Sequence, residues 1–259
     1  MINSCFICSG TLCLVKKYKK PQQNENIFGI NEQVYLKTLY KCKKCNHHYN
    51  FHNFKKHLNK LYTSGYNLNS HKNIKQKFKK IINLPKNKSS NYFRVKFLER
   101  FINKKSNILD VGSGIGIFPY SMKKNGYSIS CLEPDKSSYL FIKNKLKINI
   151  KRKDALNFKI PKKYNFITFN KVLEHLEIQN IYKILKHIKR NVRVYIEVPS
   201  ILARKESLNR QEFFFEHYNI FSKKSLGIIV GKLNFKIIHL SDILEVNKKF
   251  TLRAVIEKK

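Results

Sequence analysis

Residues 107–118 read Asn-Ile-Leu-Asp-Val-Gly-Ser-Gly-Ile-Gly-Ile-Phe, and few folds accommodate such a stretch. Ile108, Leu109 and Val111 form a short apolar run suited to a buried strand. Gly112, Gly114 and Gly116 follow, and a helical pattern begins beyond them with Phe118, Tyr120, Ser121 and Met122. Strand, glycine turn and helix predict an α/β fold with a nucleotide-type site at the carboxyl ends of an open sheet. The glycines let the backbone turn with φ > 0 and approach a ligand closely. The helix start offers free N–H groups. Asp110 precedes the turn, so the pattern is Asp-x-Gly-x-Gly-x-Gly. That is neither the Gly-x-Gly-x-x-Gly dinucleotide fingerprint nor a P-loop, since no Gly-Lys-Ser/Thr follows. Taken alone, the loop also fits a tight strand-to-helix turn.

The chain beyond it keeps the α/β alternation. Residues 128–132 read as a second strand, closed by Glu133-Pro-Asp135, and residues 137–147 as a helix. A third strand begins at 148–150 and closes with Lys153-Asp154-Ala155. A fourth spans 164–170 and ends at Asn170, followed by Lys171-Val-Leu-Glu-His-Leu176. Residues 178–190 read as helix, 192–198 as the fifth strand, and Ser222 as the cap of a helix through Leu233. Residues 235–240 and 250–256 supply two closing strands. Glu133 lies 17 residues past Gly116. A carboxylate there can accept hydrogen bonds from both ribose hydroxyls, as the acid of dinucleotide sites does. Asp135 is the alternative acid, or the cap of the next helix.

The first part of the chain is of a different kind. Cys5-Phe-Ile-Cys8 and Cys42-Lys-Lys-Cys45 flank a β-prone run at 34–41. Two such knuckles offer four thiolates to one tetrahedral Zn²⁺. A redox pair would need a thioredoxin-like βαβ setting, which neither has. His47, His48 and His52 are possible replacement ligands, but the cysteine set is already complete. Cys131, in an apolar strand, reads as buried filler.

The 259 residues allow one large domain and a small one. The expected division is 1–60 as a zinc ribbon, 61–90 as a helical linker ended by Pro85, and 91–259 as the α/β domain. No apolar run approaches the ~20 residues of a membrane span. The first residues lack a signal-peptide pattern, so a cytoplasmic location is expected, where close cysteine pairs favour metal over disulfide. The formal charge is +37, yet only 8 of the 53 basic residues are arginine and the lysines are spread along the chain. Residues 1–90 hold 18 basic residues against 2 acids, and 91–259 hold 35 against 14. Compositional drift and a functional basic surface both fit. The basic surface would suit RNA, phosphorylated substrates or a membrane surface.

The glycine loop at Asp110–Gly116, Glu133 and the Val-Leu-Glu-His run at 172–175 resemble, in order, motifs of class I S-adenosylmethionine-dependent methyltransferases. The resemblance spans roughly residues 90–259. It implies a Rossmann-like seven-stranded sheet with a small N-terminal zinc-ribbon domain. It also implies cofactor binding by Asp110, Gly112, Ser113, Gly114, Gly116, Glu133, Asp154, Asn170 and His175, with Glu133 on the ribose and Asp154 on the adenine amino group. Residues 211–222 read Gln-Glu-Phe-Phe-Phe-Glu-His-Tyr-Asn-Ile-Phe-Ser. They resemble the Glu-His segment, followed by Phe-Ser, of sugar methyltransferases of surface-polysaccharide biosynthesis. Some of these also carry a cysteine ribbon and a Tyr-x-x-x-Tyr pair, matched by Tyr62 and Tyr66 over roughly residues 1–66. The resemblance implies a sugar or sugar-nucleotide acceptor, methylated on oxygen or carbon, and catalytic roles for Glu216 and His217. The absence of a long C-terminal extension disfavours carbon. A Glu–His pair is sensible base chemistry, though neighbours on a strand would point apart and must lie on a loop to cooperate. The fourth strand lacks Asn/Asp-Pro-Pro-Tyr, which counts against amino-directed nucleic-acid methylation. Two alternatives remain open: a zinc-ribbon rRNA or tRNA methyltransferase, and a non-catalytic binding module on a degenerate methyltransferase fold.

Overall fold

The computed structural model describes residues 4–58 and 73–259. Tyr62 and Tyr66 lie outside the described residues. The chain opens with three antiparallel strands, β1 (Leu12–Tyr18), β2 (Lys37–Cys42) and β3 (His48–His52). Cys5 and Cys8 sit on the turn before β1, and Cys42 and Cys45 on the turn between β2 and β3. Two short helices follow, α1 (Ile74–Ile82) and α2 (Ser90–Leu98), each started by a side-chain cap, Asn73 and Ser89 respectively.

The main sheet then forms from β4 (Asn107–Val111), β5 (Ser128–Leu132), β6 (Asn149–Lys151), β7 (Phe166–Asn170) and β8 (Arg193–Pro199), all parallel. The two-residue β9 (Asn219–Ile220) lies elsewhere. β10 (Phe235–Leu244) and β11 (Phe250–Lys258) close the main sheet as an antiparallel pair, giving the order β10-β11-β8-β7-β4-β5-β6. Strand order therefore reverses between β4 and β7, and a crevice opens at their carboxyl ends. α3 (Ile117–Lys124), α4 (Lys136–Phe141), α5 (Ile178–Lys186) and α6 (Lys223–Lys232) cover the sheet.

Neighbouring residues on a strand face opposite ways, and both faces are buried. Leu109, Ile167, Val194 and Ala254 pack with Ile181 and Leu185 of α5 and Ile229 of α6. Ile108, Phe166, Tyr195 and Val255 pack on the other face with Val95 and Leu98 of α2 and Met122 of α3. This is why the central strands are apolar at successive positions.

Several boundaries differ from expectation. The helix expected at 137–147 is α4 followed by a π-helical turn, Ile142–Leu146, ending at Lys147 with φ of 52°. The helix after β7 stops at Lys186 rather than 190. The closing strands extend to Leu244 and Lys258. The cap Ser222 is as expected, in a capping box with Ser225.

The cysteine-bearing sheet does not stand alone. β9 pairs with β3, placing His48 opposite Ile220 and Tyr49 opposite Asn219, so this sheet has the order β1-β2-β3-β9. His47 is fully buried between Ser225 Oγ at 3.1 Å and Asn219 Oδ1 at 3.1 Å. Burial pushes its imidazole down to about 3. Asn50 Nδ2 donates to the carbonyls of Phe213, Phe214 and His217 at 3.1, 3.1 and 2.8 Å. Lys37, with no exposed surface, donates to Glu25 at 3.1 Å and to the Phe213 carbonyl at 2.7 Å. Burial lowers its ammonium to about 8, with Glu25 opposing.

Candidate active site

The loop after β4 turns through three glycines with φ of 70°, 52° and 81°. Two of them serve packing. A Cβ on Gly112 would meet Val172 at 2.6 Å, and one on Gly116 would meet Leu146 at 2.7 Å and Ile142 at 2.8 Å. Around Gly114 there is nothing within 4 Å, so a Cβ there would occupy open space in the crevice. The crevice has a volume of about 670 Å³, ample for a small-molecule site.

Of the residues expected to bind a cofactor, Asp110, Gly112, Ser113, Gly114, Glu133, Asp154, Asn170 and His175 all line this cavity. Gly116 does not. It precedes α3 and seats the loop on Ile142 and Leu146. Glu133, buried at the end of β5, accepts from Gly114 N at 2.7 Å and Asp135 N at 2.9 Å. Burial pushes its carboxyl up to about 8 against those two donors. Asp135 caps α4 by accepting from Ser138 N at 2.8 Å. Asp154 accepts from Leu156 N at 2.7 Å at the rim.

Asp110 lies beneath the loop. Its Oδ1 accepts from Thr168 Oγ1 at 2.6 Å and Asn170 Nδ2 at 2.7 Å. Burial raises its carboxyl to about 6 in spite of these bonds. The bond from Nδ2 fixes the Asn170 amide and leaves its Oδ1 buried without a hydrogen-bond partner.

Glu216 and His217 sit on the loop between a 3-10 turn at Gln211–Phe213 and β9. Both face the cavity, while Phe213 and Phe215 turn into a separate core with Leu39 and Leu58. Their shared loop, not a strand, brings the pair together. His217 Nε2 is 3.8 Å from Glu216 Oε1, too far for a hydrogen bond. His217 Nδ1 instead donates to the Glu212 carbonyl at 3.1 Å. His175 Nδ1 donates to the Glu216 carbonyl at 2.9 Å, and the two imidazole centroids are 5.0 Å apart. Burial, with His175 alongside, holds His217 well below the usual imidazole range, so it is neutral near pH 7.

Sequence reasoning passed over two residues of the wall, Glu174 and Lys249, and one behind it, Glu197. Glu174 is 1% exposed, and burial raises its carboxyl to about 7. It stood beside His175 in the quoted motif. Lys249 lines the cavity but is one lysine among many. Glu197 in β8 is buried and accepts from Arg94 Nε at 2.9 Å and Arg253 Nε at 3.2 Å. Burial alone would raise its carboxyl, but Arg94, Lys171 and Arg253 hold it far below the carboxylate range. A lone acid inside an apolar strand is a readable signal for such a pair.

The four cysteines converge. Cys5 and Cys45 sulfurs are 3.6 Å apart, Cys8 and Cys42 sulfurs 3.5 Å. Zn–S bonds of about 2.3 Å at tetrahedral angles put sulfurs about 3.8 Å apart, so the set fits such an ion. Backbone N–H groups of Ile7 and Cys45 point at Cys5 and Cys42 sulfurs. None of the three ribbon histidines joins the sulfur cluster.

A five-stranded parallel core with an antiparallel closing pair, a glycine turn after its first strand and an acid after its second define the class I methyltransferase fold. The methyltransferase-domain family matches residues 87–240, and the chain belongs to that family. It is an S-adenosylmethionine-dependent methyltransferase, which sets aside the non-catalytic alternative. Similar solved structures include a methyltransferase from Methanosarcina mazei (15% identity, 62% of this chain and 96% of that one, TM-score 0.52). Another is magnesium protoporphyrin IX methyltransferase from Synechocystis with S-adenosylhomocysteine bound (13%, 79% and 100%, 0.58). A third is a glycopeptide N-methyltransferase in complex with S-adenosylmethionine (9%, 66% and 94%, 0.54). No curated protein sequence matches the chain. The open space over Gly114, the buried Glu133 carboxyl and the unpartnered Asn170 Oδ1 fit the cofactor's hydroxyl and ammonium donors. No helix among the described residues is long and apolar enough to cross a membrane.

Proposed function

We propose that the enzyme methylates a hydroxyl of a small molecule, most simply a sugar or sugar nucleotide of glycan biosynthesis. One observation supports the reading above others: the Glu216–His217 loop, which resembles the sugar-methyltransferase segment, walls the same cavity as Gly114, Glu133 and Asn170. In this reading Glu133 accepts from the ribose hydroxyls, Asp154 from the adenine amino group, and Asn170 Oδ1 from the ammonium. Asp110 acts through Asn170 by fixing its amide. S-adenosylmethionine supplies a methyl group made electrophilic by its sulfonium. His217, its Nδ1–H held by Glu212, presents the Nε2 lone pair to the acceptor hydroxyl and takes its proton or aligns it, with the Glu216 charge nearby. The four cysteines hold a structural Zn²⁺, since four protein ligands leave no open position.

The test is a screen of nucleotide sugars with labelled cofactor, followed by His217→Gln. Turnover is expected to fall by roughly 10²–10⁴ while S-adenosylhomocysteine affinity, read by calorimetry, stays near wild type. Near-wild-type turnover in the variant would reject the assignment and pass it to His175. Absence of any methylated sugar, with turnover on RNA instead, would reject the acceptor class.

A further inference from the structure

We propose that Glu174, His175 and His217 form a divalent-cation site on the acceptor side of the cavity, separate from the four cysteines. Each of the three offers one ligand atom, and these atoms lie within 4.8 Å of one another. Metal bonds of about 2.0–2.2 Å to nitrogen and oxygen place ligand atoms about 3–3.5 Å apart, so small side-chain rotations close the set.

The hydrogen bonds behind the cluster prepare it for a metal. Both imidazoles face backbone carbonyls through Nδ1, His175 at Glu216 and His217 at Glu212. A carbonyl only accepts, so both rings carry hydrogen on Nδ1, and Nε2 is the nitrogen each has to offer a metal. An outer carbonyl that fixes the tautomer is the usual support for a metal-bound histidine. Glu174 adds the third donor. It is 1% exposed, and its Oε2 has no hydrogen-bond partner. A buried carboxylate oxygen left unpaired is costly. A proton would neutralise this one group, whereas a dication serves it and both imidazoles at once. Lys171, a cation of the wall whose charge acts on Glu174, is already engaged by Glu245.

Two nitrogens and one oxygen suit a first-row divalent ion such as Mn²⁺, Fe²⁺, Co²⁺ or Zn²⁺ better than Ca²⁺ or Mg²⁺, which prefer oxygen. Positions open to the cavity would accept two neighbouring acceptor oxygens, so the site selects a vicinal diol. This selection rests on the hydroxyl-acceptor reading above; the cation site itself does not. A cation there lowers the pKa of an acceptor hydroxyl, which a neutral imidazole alone deprotonates poorly. With Nε2 on the cation, His217 would align the hydroxyl through the metal rather than take its proton, and the hydroxyl proton would pass to a Glu216 carboxylate oxygen or to water. The oxygen keeps the O–H pair and forms the new C–O bond, and the C–S pair stays on sulfur.

The experiment titrates Mn²⁺ into the full protein with its ribbon metal in place, following free Mn²⁺ by electron paramagnetic resonance. Four thiolates favour softer ions, so Mn²⁺ reports the nitrogen–oxygen site. One saturable Mn²⁺ per chain is expected, with affinity weakened by about 100-fold or more in Glu174→Gln and His217→Ala. S-adenosylhomocysteine affinity, measured on the same samples, should stay within about 3-fold. No saturable Mn²⁺, or binding that neither variant alters, overturns the site while leaving the methyltransferase intact. If a variant loses cofactor binding too, the Co²⁺ spectrum of the wild type decides. Weak d–d bands additional to any thiolate charge-transfer bands support the site, and thiolate bands alone overturn it.

Discussion

At Glu133 the proton couples pH to the cofactor. Burial first, then the Asp135 and Asp110 carboxylates, keeps this group protonated up to about 8, whereas the unfolded chain releases its proton near 4.5. Between those values the folded state holds more protons than the unfolded state, so this residue's contribution to stability falls as pH rises from about 4.5 to 8. Ribose hydroxyls donate best to the ionised form. The expected outcome is that S-adenosylhomocysteine affinity rises through pH 8, measured calorimetrically from pH 6 to 9. Glu133→Ala should lose that slope relative to wild type, and about 1.5–3 kcal/mol of affinity at the upper end. A wild-type slope retained in the variant would assign the pH effect to another group.

Among the elements, the three-stranded ribbon has a task that its own residues do not advertise. Asn50 of β3 holds three carbonyls of the Glu216–His217 segment, and Lys37 of β2 holds one of them as well. Cys42→Ser should therefore release the ribbon's metal, near one zinc per chain by elemental analysis of the wild type. It should also raise hydrogen exchange at 213–220 while leaving 107–133 and S-adenosylhomocysteine affinity nearly unchanged. Unaltered exchange at 213–220 in a metal-free variant would separate ribbon from loop. What was readable in the chain follows the range of the forces involved. The glycine turn, Glu133 and the Ser222 cap are local patterns, and their elements fell where spacing put them. β9 is two residues long and finds its partner about 170 residues away, so no periodicity could announce it. Glu25 and Lys37 form a buried pair whose members look like ordinary surface charges until the chain is folded. The π-helical turn after α4 was hidden for a related reason: Ile142 and Leu146 answer to Gly116 on another element, not to their own helix.

For the molecule as a whole, the +37 charge is the feature that most invites an RNA substrate. Contacts of that kind are sequence-independent and collapse with salt. Binding to mixed RNA should be measurable at low salt and weaken steeply near physiological ionic strength. A nanomolar complex with one RNA that survives there would favour the rRNA or tRNA alternative over the sugar.

The pairing of β3 with β9 also dictates an order of assembly. During synthesis the cysteines emerge well before the main sheet and could gather a metal ion early, but the outer edge of β3 has no neighbour until Asn219 and Ile220 leave the ribosome. Until then it presents bare N–H and C=O groups that any other extended chain can join. Contacts so distant along the chain form slowly. A fragment ending before residue 219 would keep that edge open permanently, and is expected to self-associate through it where the 259-residue chain does not.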